Sequence, residues 1–207
     1  MNKKKNVIKR KSQNLFNVIA IALVIGFTAG LTLGNKDVQN FFDGNKVPIN
    51  ATDPILIGSS QINLCFTPPS GCGKVIADLI SEAARSIYVQ AYGITSDEIV
   101  SALIDAHNRG VKVRILLDKS NSYDKYSKMN AIKEAGIDVS IDKVSGIAHN
   151  KTVIIDQQKV ITGSFNFTKS ADSRNAENVI IVNDSQIAER YLQNWLLRKS
   201  KNTESTE

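Results

Sequence analysis

From residue 61 onward the apolar positions switch repeatedly between a period of two and one near four. Ile62–Phe66 reads as a strand. In GKVIADLISEAARS the apolar residues fall at Val75, Ile76, Leu79, Ile80 and Ala83, a stripe along one side of a helix. SIYVQAYG is a strand again. Ser96–Arg109 is helical, with Ser96 and Asp97 as cap candidates and Gly110 as the stop. VKVRILL predicts a strand, Tyr126–Ala135 a helix ended by Gly136, and IDVSI a further strand. TVIID and KVITG are short strands that can pair through Gln157-Gln158. ENVIIV follows as a strand, and Ser185–Lys199 as an amphipathic helix holding Trp195. Strands alternating with helices predict an α/β domain whose central sheet is covered on both faces.

Before residue 61 the pattern changes. Residues 35–60 show no sustained period and carry Asn, Gly, Pro and Ser, as expected of a linker. Residues 201–207 read as a disordered tail. At the other end Lys3, Lys4, Lys5, Lys9, Arg10 and Lys11 precede Leu15–Leu33, 19 residues without a charge. As a helix that run would span roughly 28 Å, against a bilayer core of about 30 Å. Residues 1–34 therefore read as an export signal or a single membrane anchor. In either case the rest of the chain is expected outside the cytoplasm, secreted or periplasmic, or anchored by the N-terminal segment.

This segment also changes what the charge means. The formal net charge is +6 and the pI about 9.3, which on its face suggests a nucleic-acid partner. Setting aside the six basic residues near the N-terminus leaves 20 basic against 20 acidic side chains in residues 35–207. The presumed folded part is neutral, which removes the global argument for a dedicated nucleic-acid binder. Cys65 and Cys72 flank FTPPSG, a turn that can bring them together, and export permits a disulfide between them. With two cysteines and two histidines in the whole chain, no structural zinc is expected.

The chemistry concentrates in IAHNKTVIIDQQKVITGSFN, residues 147–166. His149 and Lys151 are two apart, so an extended backbone projects them from one face. A hairpin of the two strands brings them beside Ser164 and Asn166. Lysine offers a point charge, while serine and asparagine offer donors to phosphoryl oxygens. Histidine can act as nucleophile or general acid near neutral pH. Gly163 permits a close backbone approach. No cluster of carboxylates marks a magnesium site, so neither a metal nor another cofactor is expected.

The pattern H-x-K-x4-D-x6-G-S-x-N, filled by His149, Lys151, Asp156, Gly163, Ser164 and Asn166, resembles the HKD motif of the phospholipase D superfamily. In RNAENVIIV, Glu177 occupies the place of that family's histidine-orienting glutamate. CFTPPSGCGK, SIYVQAYG, VKVRILLDKSN and IDVSIDKV look like the small exported phospholipase D proteins of obligate intracellular bacteria. A plasmid-borne non-specific endonuclease of the superfamily shares the short architecture. The resemblance covers about residues 61–200 and implies a phospholipase D-like sandwich, a mixed central sheet with helices on both faces.

The resemblance also implies roles. His149, Lys151 and Asp156 form the motif's catalytic set. Lys151, Ser164 and Asn166 would hold the phosphate, and Glu177 would orient the histidine. Asp156 stands apart, because it lies at the far end of a strand with an odd offset from His149; that position suits a turn or hydrogen-bond partner. His107-Asn108-Arg109 mimics the start of the motif, but Arg114 stands where the aspartate belongs and Asn121-Ser122 where Gly-Ser belongs. His107 is therefore expected at an exposed helix end. One motif per chain implies a homodimer that completes the site with two copies of His149. The implied activity is metal-independent phosphodiester hydrolysis through a phosphohistidine. A phosphatidylcholine-type phospholipid at a membrane surface is the expected substrate, and nucleic acid the alternative. An intact motif argues against a non-catalytic, membrane-anchored binding module.

Overall fold

In the computed structural model of the chain, the described residues are 55–57, 60–69 and 71–201. The basic and apolar N-terminal segment, most of the linker and residues 202–207 lie outside them.

One eight-stranded sheet organises these residues. Its strands are β1 (Ile55–Ile57), β2 (Ser60–Thr67), β3 (Ser86–Ala91), β4 (Lys112–Leu117), β5 (Asp138–Ile141), β6 (Lys151–Ile155), β7 (Lys159–Gly163) and β8 (Glu177–Asn183). Their order across the sheet is β1-β2-β8-β7-β6-β3-β4-β5. β3, β4 and β5 run parallel, and every other pairing is antiparallel. This is the mixed sheet expected. Parallel neighbours need crossovers, which α2 (Asp97–Asn108) and α3 (Met129–Glu134) supply. The remaining helices are α1 (Cys72–Ser81), α4 (Lys169–Ser173) and α5 (Ser185–Ser200).

The period of two in the strands sorts side chains to two cores. Ile87, Val89, Val113, Ile115, Val153, Ile155 and Ile161 join the larger core, together with Ile76 and Ile80 of α1 and Ile99 and Leu103 of α2. The alternate residues Tyr88, Leu116, Ile154 and Val160 face Ala188, Leu192 and Trp195 of α5. Trp195 is fully buried, and its Nε1 donates to the Val89 carbonyl at 2.9 Å. Helices thus cover both faces.

Local chemistry sets the ends of the elements. The Ser96 hydroxyl accepts from the Ile99 N–H, and Asp97 and Glu98 complement the positive end of the α2 dipole. Cys65 of β2 and Cys72 of α1 are joined in a disulfide with a Cα–Cα distance of 5.8 Å.

Three elements differ from the sequence reading. The helix expected over 126–135 begins only at Met129, because Asp124 folds the preceding residues into a turn. Its carboxylate accepts from the Tyr126 N–H, its carbonyl from the Ser127 N–H, and Lys128 N–H then goes to the Ile94 carbonyl. The short helix α4 was not anticipated; its five residues are too few to show a period. Ile55–Ile57, inside the stretch read as linker, pairs with β2, a pairing that no local period announces.

Candidate active site

The alternation of strand directions brings one set of chain ends to one end of the sheet. β3 finishes there, β6 starts, β7 finishes and β8 starts, with Ala91 opposite Lys151 and Gly163 opposite Val179. His149, Lys151, Ser164, Asn166 and Glu177 are therefore brought together, although the stretch from 147 to 166 contains only four of them.

Gly163 makes the turn out of β7. Its φ is +146°, and a Cβ there would lie 2.2 Å from the Asn178 carbonyl oxygen. No other residue fits that approach. The next residue, Ser164, is locked to β8. Its N–H donates to the Asn178 carbonyl at 3.1 Å, and its hydroxyl donates to Glu177 Oε2 at 2.6 Å. The Asn178 N–H returns a bond to the same hydroxyl at 3.0 Å. Asn175 Nδ2 donates to the other Glu177 oxygen at 2.9 Å. No hydrogen bond joins Glu177 to His149 among the described residues, so the orienting contact implied by the resemblance is not made within the chain as folded here.

Lys151 is 7% exposed, and its Nζ donates to the His149 carbonyl at 2.8 Å. Burial pulls its pKa below that of a free lysine, while the negative charge of Glu177 works the other way. His149, in contrast, is exposed. Tyr92, just past β3, supports both side chains. The His149 ring meets its ring edge-on at 4.8 Å, and Lys151 Nζ lies 5.4 Å from the ring centroid. Asn166 carries a buried Oδ1 without a hydrogen-bond partner. A lysine with one bond and a buried amide oxygen without a donor leave polar capacity open at this end of the sheet.

The sequence reading did not single out Tyr92, Asn175 or Asp118. Asp118 is 1% exposed, and its Oδ2 accepts from the Ala148 N–H at 2.7 Å, which fixes the approach to His149. Burial alone would raise its pKa. The bonds from Ser120 and Ala148 and the charge of Lys119 outweigh burial and hold it below the usual carboxylate range.

Asp156 is not in the site, which corrects its place in the catalytic set. It sits at the opposite end of β6, roughly 20 Å away along an extended chain. Its carboxylate accepts from the N–H groups of Ala84, Arg85 and Ser86 at 2.9, 2.7 and 2.8 Å. This is the structural position that its odd offset suggested. His107 lies in the last turn of α2, half-buried, and also away from the site.

Comparison with known proteins bears on this geometry. Residues 76–196 match the family model described as cardiolipin synthase, PLD-like domain. The chain belongs to the phospholipase D superfamily. It is 52% identical over 201 residues to a phospholipase D of Rickettsia conorii, covering 94% of this chain and all of that one. It is 33% identical over 168 residues to a mitochondrial cardiolipin hydrolase of Chlamydomonas reinhardtii, covering 81% and 74% respectively. Among solved structures it is similar to Nuc of Salmonella typhimurium, a phospholipase D family member. That likeness has a TM-score of 0.66 and 34% identity over 68% of this chain and 95% of that one. The superfamily's sheet and helices are those described above, and the chain is a phosphodiester hydrolase of the phospholipase D family.

Proposed function

We propose that this superfamily member is a phospholipase D, which cleaves the headgroup from a phosphatidyl lipid of the phosphatidylcholine type and leaves phosphatidic acid. The carrying observation is the cluster of exposed His149, buried Lys151 and Asn166 at one end of the sheet. Lipid is favoured as substrate because the similar proteins from Rickettsia conorii and Chlamydomonas reinhardtii are named for lipid hydrolysis.

A single motif provides one histidine, and the reaction needs two roles. We infer a homodimer in which His149 of each protomer faces that of the other. A neutral His149 nitrogen attacks phosphorus and forms the phosphohistidine as the bond to the headgroup oxygen breaks. That oxygen takes its proton from the imidazolium of His149 of the partner subunit. The same partner ring, now neutral, accepts a proton from water as water attacks phosphorus and the P–N bond breaks. Like-charge repulsion between neighbouring imidazoles favours one neutral and one protonated ring. Lys151 Nζ and the Asn166 Nδ2 donate to the phosphoryl oxygens, and the Ser164 hydroxyl holds the Glu177 carboxylate in place. Glu177 would take a ring N–H of His149 once substrate and partner close the site. The N-terminal basic and apolar segment supports export, with the catalytic domain outside the cytoplasm.

The test runs two substrates in parallel, with EDTA present. The purified chain is given phosphatidylcholine vesicles and supercoiled plasmid DNA. Choline release without nicking is expected. Nicking without choline release would establish a nuclease instead. Activity that disappears in EDTA would contradict the metal-free route.

A further inference from the structure

At the end of the sheet that carries His149, two neighbouring loops hold large apolar side chains out to solvent. Tyr123 is 75% exposed, Tyr126 is 67% exposed and Ile147 is 58% exposed. The supporting backbone is well tied. Asp118 bonds the Ala148 N–H, Asn121 Nδ2 donates to the Tyr92 carbonyl at 2.7 Å, and Lys128 N–H bonds the Ile94 carbonyl. The apolar groups are therefore presented around Tyr92, which touches the His149 ring.

Cations accompany them. A cleft of about 690 Å³ beside Tyr126 is lined by Lys125, Lys128, Lys169 and Arg174, with Asp97 and Asp124 as its acids. Lys128 pairs with Asp97 at 2.5 Å, and Lys125 lies 4.8 Å from the Tyr126 ring. Lys169 and Arg174 have no ion-pair partner among the described residues. This is a local excess of positive charge on a domain that is neutral overall.

We propose that the loop carrying Tyr123 and Tyr126, with Ile147, seats the catalytic end of the sheet on the headgroup layer of an anionic phospholipid bilayer. The proposal rests on the phospholipase reading and adds the surface by which substrate is reached. Tyrosine suits the boundary between headgroups and acyl chains, with an apolar ring and a polar tip. An exposed isoleucine gains from leaving water but adds nothing to a contact with a polyanion such as DNA. Lysine and arginine are attracted to anionic lipid at short range. The proposed dimer meets at His149; extending that two-fold contact over this patch would set Lys125, Lys169 and Arg174 against their own duplicates, which leaves the patch for lipid at the rim of the dimer.

The full chain tests this without interference from its apolar N-terminal segment if the probe sits in the loop. Tyr126→Trp introduces an indole there, and the native Trp195 is 1% exposed. With vesicles of phosphatidylcholine and about 30 mol % phosphatidylserine carrying brominated acyl chains, fluorescence of the introduced indole should fall by about half. The parent's Trp195 emission should stay unchanged. An unquenched indole would overturn the proposal. In a second arm, Tyr123→Ser/Tyr126→Ser should lower hydrolysis of vesicle lipid about 10-fold while sparing a short-chain phosphatidylcholine dissolved as monomers. Equal loss on both substrates would overturn it, as would conversion of a dimer to a monomer by the double variant in sedimentation. If the parent turns over neither lipid, the phospholipase reading fails, whatever the quenching shows.

Discussion

The hairpin of β6 and β7 has two polar ends, and they are built on opposite principles. At one end Asp156 takes N–H groups from three consecutive residues, and Arg85 Nη2 donates to its carbonyl at 2.7 Å. Its charge is matched by donors of the fold itself. At the other end Lys151 is buried with one carbonyl partner, the Asn166 amide oxygen has none, and His149 stands exposed against Tyr92. One motif thus contains both a structural joint and a reactive site. The Asp156 carboxylate is saturated by the fold, whereas Lys151 and the Asn166 oxygen are left short of partners.

The sharpest way to break the contrast is at His149. His149→Asn should lower phosphodiester hydrolysis by about 10⁴-fold or more, because in the proposed dimer it removes nucleophile and acid together. The side chain is exposed, so the thermal midpoint should hold within about 1 °C. A variant that retains a tenth of the activity would remove His149 from the mechanism. A mixed dimer of parent and variant protomers should also lack full activity, since each site needs both rings.

Next in size is Lys151→Met. Loss of a positioned donor to the phosphoryl group should cost about 10²–10³-fold in kcat/KM. Stability should move the other way. A charge held in a buried position, with its pKa pulled below that of free lysine, is replaced by an apolar chain of similar length. We expect a gain of about 1 kcal/mol, a rise of about 2–4 °C in Tm. Activity and stability lost together would mean that Lys151 is part of the scaffold after all.

What the sequence made legible follows the same division. Spacing alone placed His149, Lys151, Ser164 and Asn166 at the ends of paired strands, because their separations along the chain are short. Tyr92 was not legible. Its neighbours His149 and Lys151 are distant in sequence, and the contact exists only because β6 lies beside β3 rather than beside β5. Asp118 acts through Ala148, 30 residues away, a contact that also depends on strand order, whereas Asn175 meets Glu177 two residues on in a turn that shows no period. The helix over 126–135 was overextended because Asp124 competes for the backbone N–H of Tyr126. Glu177 was placed correctly at the start of β8, yet its oxygens engage Ser164 and Asn175, contacts that spacing does not reveal.

The smallest expected effect is at the other end of the hairpin, and it depends on pH. Burial opposes the Asp156 charge, but the N–H groups of Ala84, Ser86 and Arg85 and the Arg85 guanidinium outweigh it, so its pKa lies below the ordinary carboxylate value. A carboxylate depressed in this way stabilises the fold above its unfolded pKa of about 3.9. That contribution disappears as pH falls through the lower, folded value. Asp156→Asn replaces one acceptor oxygen with a donor that faces other donors. At neutral pH it should cost about 1–2 kcal/mol of stability and change kcat/KM by less than about 3-fold. The stability gap between parent and variant should be constant above about pH 5 and narrow as the solution is acidified. Urea unfolding along a pH series measures that gap. If it stays constant down to about pH 2, the ionised carboxylate is not what holds this joint. If activity falls with Asp156→Asn as steeply as at Lys151, the two ends of the hairpin are not separate in function.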